Sequence, residues 1–179
     1  MPETERMVLR RPNWPDIDDV VALNADAEAM RQHGGAGPLT AARVLAVEMP
    51  RLMTDVRRTD ELGSWIARDK TTSEFLGWFA LTPVDDVPRT VALAYRLPRR
   101  AWGRGYDTEG ALRLVEMARS AGVSVVVAAA ATGDVASRRA LEAAGLQPVP
   151  PGSTPVLAES SDDHPRVGYR LDLDRRDRT

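Results

Sequence analysis

Residues 99–111 read RRAWGRGYDTEGA, with two glycines one residue apart among arginines and a helix-like run directly behind them. Glycines allow a tight turn and a close approach of the backbone to a ligand. The N-terminus of the following helix offers amide donors and a partial positive charge, which suit a diphosphate. The stretch predicts a phosphate-binding turn between a strand and a helix. When only the two glycines are considered, an ordinary strand-to-helix turn with solvated arginines is the alternative.

Two common phosphate loops are excluded by spacing. A dinucleotide-binding fingerprint needs a third glycine where this chain has Thr108, and the strand before the loop follows two other strands instead of opening a βαβ unit. A Walker A loop needs Gly-Lys-Ser/Thr, which the sequence lacks. What remains is Arg100-x-x-Gly103-x-Gly105, in which Arg100 and Arg104 can add charge-assisted hydrogen bonds.

Composition bounds the class of protein. The chain has 179 residues, 43% of them hydrophobic and 28% charged, with a net charge of −2, which predicts a single globular domain over residues 1–179. Such a net charge does not favour nucleic-acid binding, and the basic residues gather locally. The local group of basic residues consists of Arg96, Arg99, Arg100 and Arg104.

Several kinds of site and location are also excluded. The chain has no cysteine, which removes disulfides, thiolate zinc sites and cysteine nucleophiles, and no metal site is expected. The N-terminus has no apolar segment of a secretory signal, and the longest central uncharged run, GVSVVVAAAATG, is about half of what a bilayer needs. The sequence therefore predicts a cytoplasmic protein that does not bind membranes.

Hydrophobic periodicity predicts the element order β-α-α-β-β-β-α-β-α-β-β, an α/β (α+β) mixed sheet with helices on both faces. Strands are predicted at residues 6–11, 64–69, 75–84, 90–97, 123–131 and 167–173. Helices are predicted from Asp16, from Thr40, after the glycine stretch to about Arg119, and over 137–145. In the second helix, Val44, Leu45, Leu52, Met53 and Val56 are expected to face inward, with a kink or break at Pro50.

The longer stretch AYRLPRRAWGRGYDTEGA (94–111) resembles the acetyl-CoA loop of the GNAT superfamily of N-acetyltransferases, whose motif is Arg/Gln-x-x-Gly-x-Gly/Ala. It is most similar to the branch of ribosomal-protein N-terminal (alanine/serine) acetyltransferases. The matching residues are Tyr95, Leu97, Trp102, Gly103, Gly105, Tyr106, Thr108 and Glu109. ERMVLRRP, SEFLGWFAL (73–81) and DVASRRALEAAGL (134–146) resemble further family blocks, so the resemblance covers residues 5–147 and implies a GNAT fold.

The resemblance implies that acetyl-CoA binds as a co-substrate in a V-shaped opening between strands 90–97 and 123–131. Main-chain groups near the end of the first strand would pair with the pantetheine arm, and amides of the glycine stretch would hold the diphosphate. The implied cofactor-binding residues are Tyr95, Arg96, Leu97, Arg100, Trp102, Gly103, Arg104, Gly105, Tyr106, Thr108, Asp134 and Ser137.

The implied reaction is direct transfer of an acetyl group to a primary amine, either a protein N-terminus or a small molecule. The usual tyrosine acid of the family falls on Leu141, so Ser137 becomes the candidate hydroxyl for the leaving thiolate, with a helix N-cap as its alternative role. His33 is the candidate base, with a solvated loop histidine as the alternative. The loop acids Asp85, Asp86 and Glu159 are weaker candidates, and an α-amine with a pKa near ~8 can manage without a specific base.

Three positions depart from the family pattern. The strand glutamate is replaced by Ala92, the small loop residue by Asp107, and the motif asparagine by Asp134. These departures leave open a second function, a catalytically impaired acyl-CoA-binding sensor or interaction module. The resemblance also implies that a homodimer is a common assembly.

Overall fold

The computed structural model of the protein describes residues 1–32, 37–54, 61–155 and 165–174. The strands are β1 (Met7–Arg10), β2 (Gly63–Asp69), β3 (Phe75–Pro83), β4 (Thr90–Arg96), β5 (Val125–Ala131), β6 (Gln147–Val149) and β7 (Arg166–Asp172). The helices are α1 (Ile17–Ala25), α2 (Ala27–Gln32), α3 (Ala41–Arg43), α4 (Met49–Thr54), α5 (Tyr106–Ser120) and α6 (Val135–Ala143).

The strands form one sheet in the order β1-β2-β3-β4-β5-β7-β6. Every neighbouring pair is antiparallel except β4 and β5, which run parallel and are connected through α5. This confirms the predicted mixed α/β sheet and its order of elements. The first predicted helix is divided at Asp26, whose extended backbone ends α1 and whose carboxylate accepts hydrogen bonds from the amides of Glu28 and Ala29 in α2.

Two hydrophobic clusters lie on opposite faces of the sheet. Phe79 and Leu81 of β3 belong to the cluster that contains α5 and α6, whereas Trp78 and Ala80 belong to the cluster that contains α1, α2 and α4. Because successive strand residues point to opposite faces, the same alternation assigns the side chains of β4. No helix in the described ranges is long and apolar enough to cross a membrane.

The helix predicted from Thr40 is interrupted. The Thr40 hydroxyl caps it by accepting a hydrogen bond from the Arg43 amide, but a wide π turn (Val44–Glu48) separates α3 from α4 just before Pro50. The expectation that Leu45 faces inward is wrong, because its side chain lies in this turn and is 47% exposed. The wide turn changes the angular phase of the following residues. Val56 lies outside the described residues.

Helix α5 packs unusually close to the sheet at Gly110. A Cβ atom at that position would lie 2.1 Å from a ring carbon of Phe79 on β3. The absent side chain therefore fixes how near the helix that follows the glycine stretch can come to the central strands.

Candidate active site

The two parallel strands separate after three residue pairs. β4 and β5 pair at Thr90 with Val125, Val91 with Val126 and Ala92 with Val127. Beyond these pairs β4 continues to pair with β3 as far as Arg96, and β5 with β7 as far as Ala131. Residues 93–96 and 128–131 thus border a gap within the sheet, called here the opening. It lies where the sequence resemblance implied it.

A backbone irregularity in β3 supports the end of β4 at this opening. Gly77 has φ +119°, and a Cβ atom there would lie 2.2 Å from the carbonyl oxygen of Arg96. The pairing of β2 with β3 shifts register beside it, between Ala67 and Arg68. Only glycine permits this close approach with positive φ, a role that the sequence pattern of the strand did not reveal.

The glycine loop, residues 102–106, turns the chain from β4 into α5. Gly103 and Gly105 have φ +67° and +78°, and Gly105 is the N-cap of α5. A Cβ atom at Gly103 would meet no protein atom within 4 Å, so the outer side of the loop is open. The indole Nε1 of Trp102 donates a hydrogen bond of 2.9 Å to the carbonyl of Leu97, which braces the loop against the strand end.

The two loop arginines are used differently. Arg100 donates to the Glu74 carboxylate at 2.5 Å and to the carbonyl oxygen of Phe75 at 2.7 Å, so its guanidinium connects the loop to the β2–β3 hairpin. Arg104 is exposed and lies 5.4 Å from the ring centroid of Tyr106. Of these two predicted phosphate ligands, Arg104 therefore presents its charge outward, while Arg100 is held by an acid.

The first turn of α5 has mixed roles. Tyr106 is buried, and its hydroxyl donates to the Asp69 carboxylate at 3.1 Å, so this side chain supports the loop. The carboxylate of Asp107 accepts a hydrogen bond from the amide of Thr108 at 2.9 Å, which satisfies one of the amides at the helix N-terminus. This contact gives the family departure at Asp107 a local structural explanation.

The opposite wall brings Tyr95, Asp134 and Ser137 together. Tyr95 donates a hydrogen bond of 3.4 Å from its hydroxyl to the main-chain carbonyl of Ser137, and burial raises the pKa of Tyr95, which keeps this hydroxyl protonated. The Asp134 carboxylate accepts a hydrogen bond of 3.0 Å from the amide of Ser137 and is the N-cap of α6. The alternative role of Ser137 as that N-cap is therefore wrong, because the serine lies three residues into the motif.

Ala92 and Arg96 share the other face of β4. Ala92 is half-buried at the last paired position, and alternation places its side chain on the face covered by α1 to α4. Arg96 lies at the opening, and its side chain reaches Asn24 of α1, to whose Oδ1 it donates at 2.5 Å. The main chain of Arg96 thus borders the opening while its guanidinium occupies the side opposite α5.

The remaining candidates lie elsewhere. Asp85 and Asp86 line a cavity of about 860 Å³ at the start of β4. The length of that strand separates them from the glycine loop by roughly 20 Å. His33 and Glu159 lie outside the described residues. Within the described ranges, no group of three or more His, Asp or Glu side chains is arranged to hold a metal ion.

Comparison with known proteins agrees with this architecture. A family model described as an acetyltransferase (GNAT) domain matches residues 6–147. A relative from Aspergillus fumigatus, FsC-acetyl coenzyme A-N(2)-transacetylase, is 27% identical over 132 residues, which are 69% of this chain and 55% of the relative. The chain thus spans only about half the length of that relative.

Solved structures share the fold at low sequence identity. An acetyltransferase of the GNAT family from Bacillus anthracis has a TM-score of 0.75 at 13% identity, covering 95% of this chain and 96% of its own. Spermidine N-acetyltransferase from Vibrio cholerae, solved with CoA and spermine, has a TM-score of 0.73 at 10% identity, covering 93% and 95%. These similarities establish the fold, and the family match spans the strands that separate, the glycine loop and α6; the chain belongs to the GNAT acetyltransferase domain family.

Proposed function

We propose that the protein is an acetyl-CoA-dependent N-acetyltransferase that moves an acetyl group directly to a primary amine. The observation that carries the proposal is the opening between β4 and β5, with the glycine loop at its end, in a chain of the GNAT family. A gap in a sheet offers main-chain hydrogen bonds to an extended ligand, and a helix N-terminus offers amides to a diphosphate.

The residues present fit acetyl-CoA. Gly103 leaves the outer side of its loop open, and the N-cap of α5, Gly105, follows two residues later. The pantetheine arm would pair, as a strand would, with main-chain groups of residues 95–97 at the end of β4. Arg104 and Thr108 would then add contacts to the diphosphate, and Tyr95 and Ser137 would line the opposite wall.

In direct transfer the acetyl group passes from acetyl-CoA to the amine without a covalent intermediate on the protein. The neutral amine attacks the thioester carbonyl, its nitrogen forms the new C–N bond, and the C–S bond breaks with the electron pair leaving on sulfur. The Ser137 hydroxyl is our candidate for protonating the thiolate. Because Ala92 supplies no carboxylate, we infer that the amine loses its proton to water or to a group outside β4.

The family departures do not favour the sensor over the transferase. Asp134 caps α6, and Asp107 satisfies an amide in the first turn of α5, so both acids have structural roles that are compatible with catalysis. The acceptor classes to compare are a protein N-terminus, as in the ribosomal branch that the loop resembles, and a small-molecule amine.

The test is release of free CoA thiol from acetyl-CoA, followed with a thiol reagent and with mass spectrometry of the product. Acceptors should include an Ala- or Ser-terminated peptide, free amino acids and a polyamine. Turnover with any of them supports the transferase. Tight acetyl-CoA binding with no acetylated product from any amine would instead support the sensor.

A further inference from the structure

Trp78 and Arg96 lie directly opposite each other on β3 and β4. Both side chains are on the face covered by α1 to α4, because Trp78 packs in that hydrophobic cluster and Arg96 donates to Asn24 of α1. Directly opposed residues on one sheet face have neighbouring side chains. Since the main chain of Arg96 borders the opening, this pair lies beside the part of the opening where we place the pantetheine arm.

Other arginines lie near this pair. The guanidinium carbon of Arg51 lies 5.3 Å from the Trp78 ring centroid, and that of Arg96 lies 5.5 Å from it. Arg166 begins β7 opposite Ala131, at the same end of the opening. We call Arg51, Arg96 and Arg166 the arginine cluster.

The pKa of Arg96 reflects burial first and neighbouring charges of both signs second. Burial lowers the pKa of Arg96, and the charges of Arg51 and Arg166 lower it further, while Glu48 acts in the opposite direction. That glutamate is itself ion-paired with Arg51 at 3.1 Å. Because Glu48 is held by Arg51, Arg96 donates to the neutral amide of Asn24 and pairs with no carboxylate among the described residues.

Two buried donors at this place have no acceptor among the residues that the structure describes. They are Nε1 of Trp78, whose residue is only 4% exposed, and Nε of Arg96. A buried donor without an acceptor is costly, so native structures satisfy such groups with protein, water or ligand. An arginine fork that pairs with no carboxylate among the described residues, together with a neighbouring indole N–H, matches the oxygens of a carboxylate.

We propose that the amine acceptor carries a carboxylate, as a free amino acid does, and that Arg96 and Trp78 bind this carboxylate while the amino group faces the opening. The inference rests on the proposed N-acetyltransferase function and narrows its substrate class. A polyamine is disfavoured, because it would bring its positive charge against the arginine cluster. A peptide N-terminus is also disfavoured, because an amide replaces the carboxylate beside its amine.

The experiment compares each common L-amino acid with its own carboxamide as acceptor. Values of kcat/KM are expressed per neutral amine, because loss of the carboxylate lowers the pKa of the amino group. For the preferred amino acid, the wild-type protein should favour the acid over the carboxamide by about 30-fold or more, as expected when a buried charged hydrogen-bond partner is removed.

Two variants test whether Arg96 and Trp78 cause the preference for the acid over the carboxamide. Arg96→Gln should bring the ratio of acid to carboxamide to within about threefold of one, since the recognising charge is lost. Trp78→Phe, which keeps an aromatic ring and removes the N–H, should lower the ratio by about tenfold. Arg113→Gln is the matched control, because that arginine lies on α5 and pairs with Glu116, and it should keep the wild-type ratio.

A wild-type ratio near one, faster acetylation of a polyamine, or an unchanged ratio in Arg96→Gln would overturn the proposal. If no amine is acetylated, calorimetric titration of amino acids into the CoA-saturated protein decides. Binding that Arg96→Gln abolishes would support the carboxylate site and count against the transferase, whereas the absence of binding to the wild-type protein would overturn both.

Discussion

Glu109, in the first turn of α5, binds both the main chain and the side chain of Arg6 at the entrance to β1. One carboxylate oxygen accepts from the Arg6 amide at 2.8 Å, and the other accepts from its Nε at 2.7 Å. The hydroxyl of Thr4 donates to the same carboxylate. The helix that opens on the glycine loop is thereby connected to the edge strand of the sheet, more than 100 residues earlier in the chain.

We expect Glu109→Gln to lower the free energy of unfolding at pH 7 by about 1–2 kcal/mol, the usual range for a charged hydrogen-bond group that is partly exposed. Burial alone would raise the pKa of Glu109, but hydrogen bonds from Thr4 and Arg6 outweigh it and hold the pKa below its ordinary value. The carboxylate therefore stabilises the fold above the unfolded pKa of about 4.3, and this contribution is lost as the pH falls through the folded value.

Urea denaturation from pH 3 to pH 7 checks this prediction. The gap between wild type and Glu109→Gln should be widest at pH 7 and should close toward pH 3. Glu116→Gln serves as the control, because its ion pair with Arg113 is exposed and should contribute less than about 0.5 kcal/mol. A gap that does not vary with pH would show that the charge of Glu109 does not matter.

Gly110→Ala should destabilise the protein by about 1–3 kcal/mol, because the new methyl group overlaps the ring of Phe79 and overpacking outweighs the gain in helix propensity. Gly133→Ala is the matched control, since a Cβ atom there meets no protein atom within 4 Å and its backbone is not in the left-handed region. Thermal and urea unfolding of both variants give the comparison. Equal stability of the two would mean that α5 can move away from β3 at no cost.

Gly103→Val should weaken acetyl-CoA binding about thirtyfold, or ~2 kcal/mol, because a branched side chain obstructs the approach of the diphosphate to the loop. Gly122→Val is a close control for backbone strain, since Gly122 has φ +70° against +67° at Gly103 and its Cβ would also meet no protein atom within 4 Å. Both variants should lose similar stability, but only the first should lose affinity in calorimetric titration. Equal affinities would remove the glycine loop from the cofactor site.

Ser137→Ala and Asp134→Ala should separate catalysis from capping. Since Asp134 is the N-cap of α6, Asp134→Ala should cost about 1 kcal/mol of stability. Ser137→Ala should leave stability within about 0.5 kcal/mol and lower kcat by about 10- to 100-fold, if its hydroxyl protonates the thiolate. Steady-state kinetics and urea unfolding of each variant supply both readouts, and an unchanged kcat in Ser137→Ala would exclude the serine as the acid.

The features predictable from sequence are those written in a short stretch of chain. Gly103 and Gly105 indicate positive φ, and alternating apolar residues indicate strands; the structure has both. The phosphate site that such a loop before a helix indicates stays a prediction. These local signals predicted the element order, whereas the place of the opening was implied by the resemblance to the GNAT family. The cap of α6 was not predictable in this way, because Asp134 and Ser137 both suit a helix start and only the hydrogen bond from the Ser137 amide identifies Asp134 as the cap.

The features that sequence did not reveal depend on residues far apart in the chain. Gly77 is an unremarked strand glycine until the carbonyl of Arg96 is found where its side chain would be. The spacing of the motif predicts that Arg100 binds phosphate, but its guanidinium donates a hydrogen bond to the carboxylate of Glu74, 26 residues away. The sequence groups Arg96 with the basic residues of the glycine stretch. In the structure its guanidinium lies on the sheet face opposite α5, because successive side chains of a strand point to opposite faces.

The early separation of β4 and β5 divides the sheet into two half-sheets, β1 to β4 and β5 to β7, whose strands meet at only three residue pairs. An extended ligand between them would join the two half-sheets where β4 and β5 do not pair. Its arrival should slow amide hydrogen exchange in both halves together, including strands that it does not touch. When CoA leaves, the two half-sheets should be free to move relative to each other about those three pairs. Release of CoA and faster amide exchange throughout the sheet should therefore occur together.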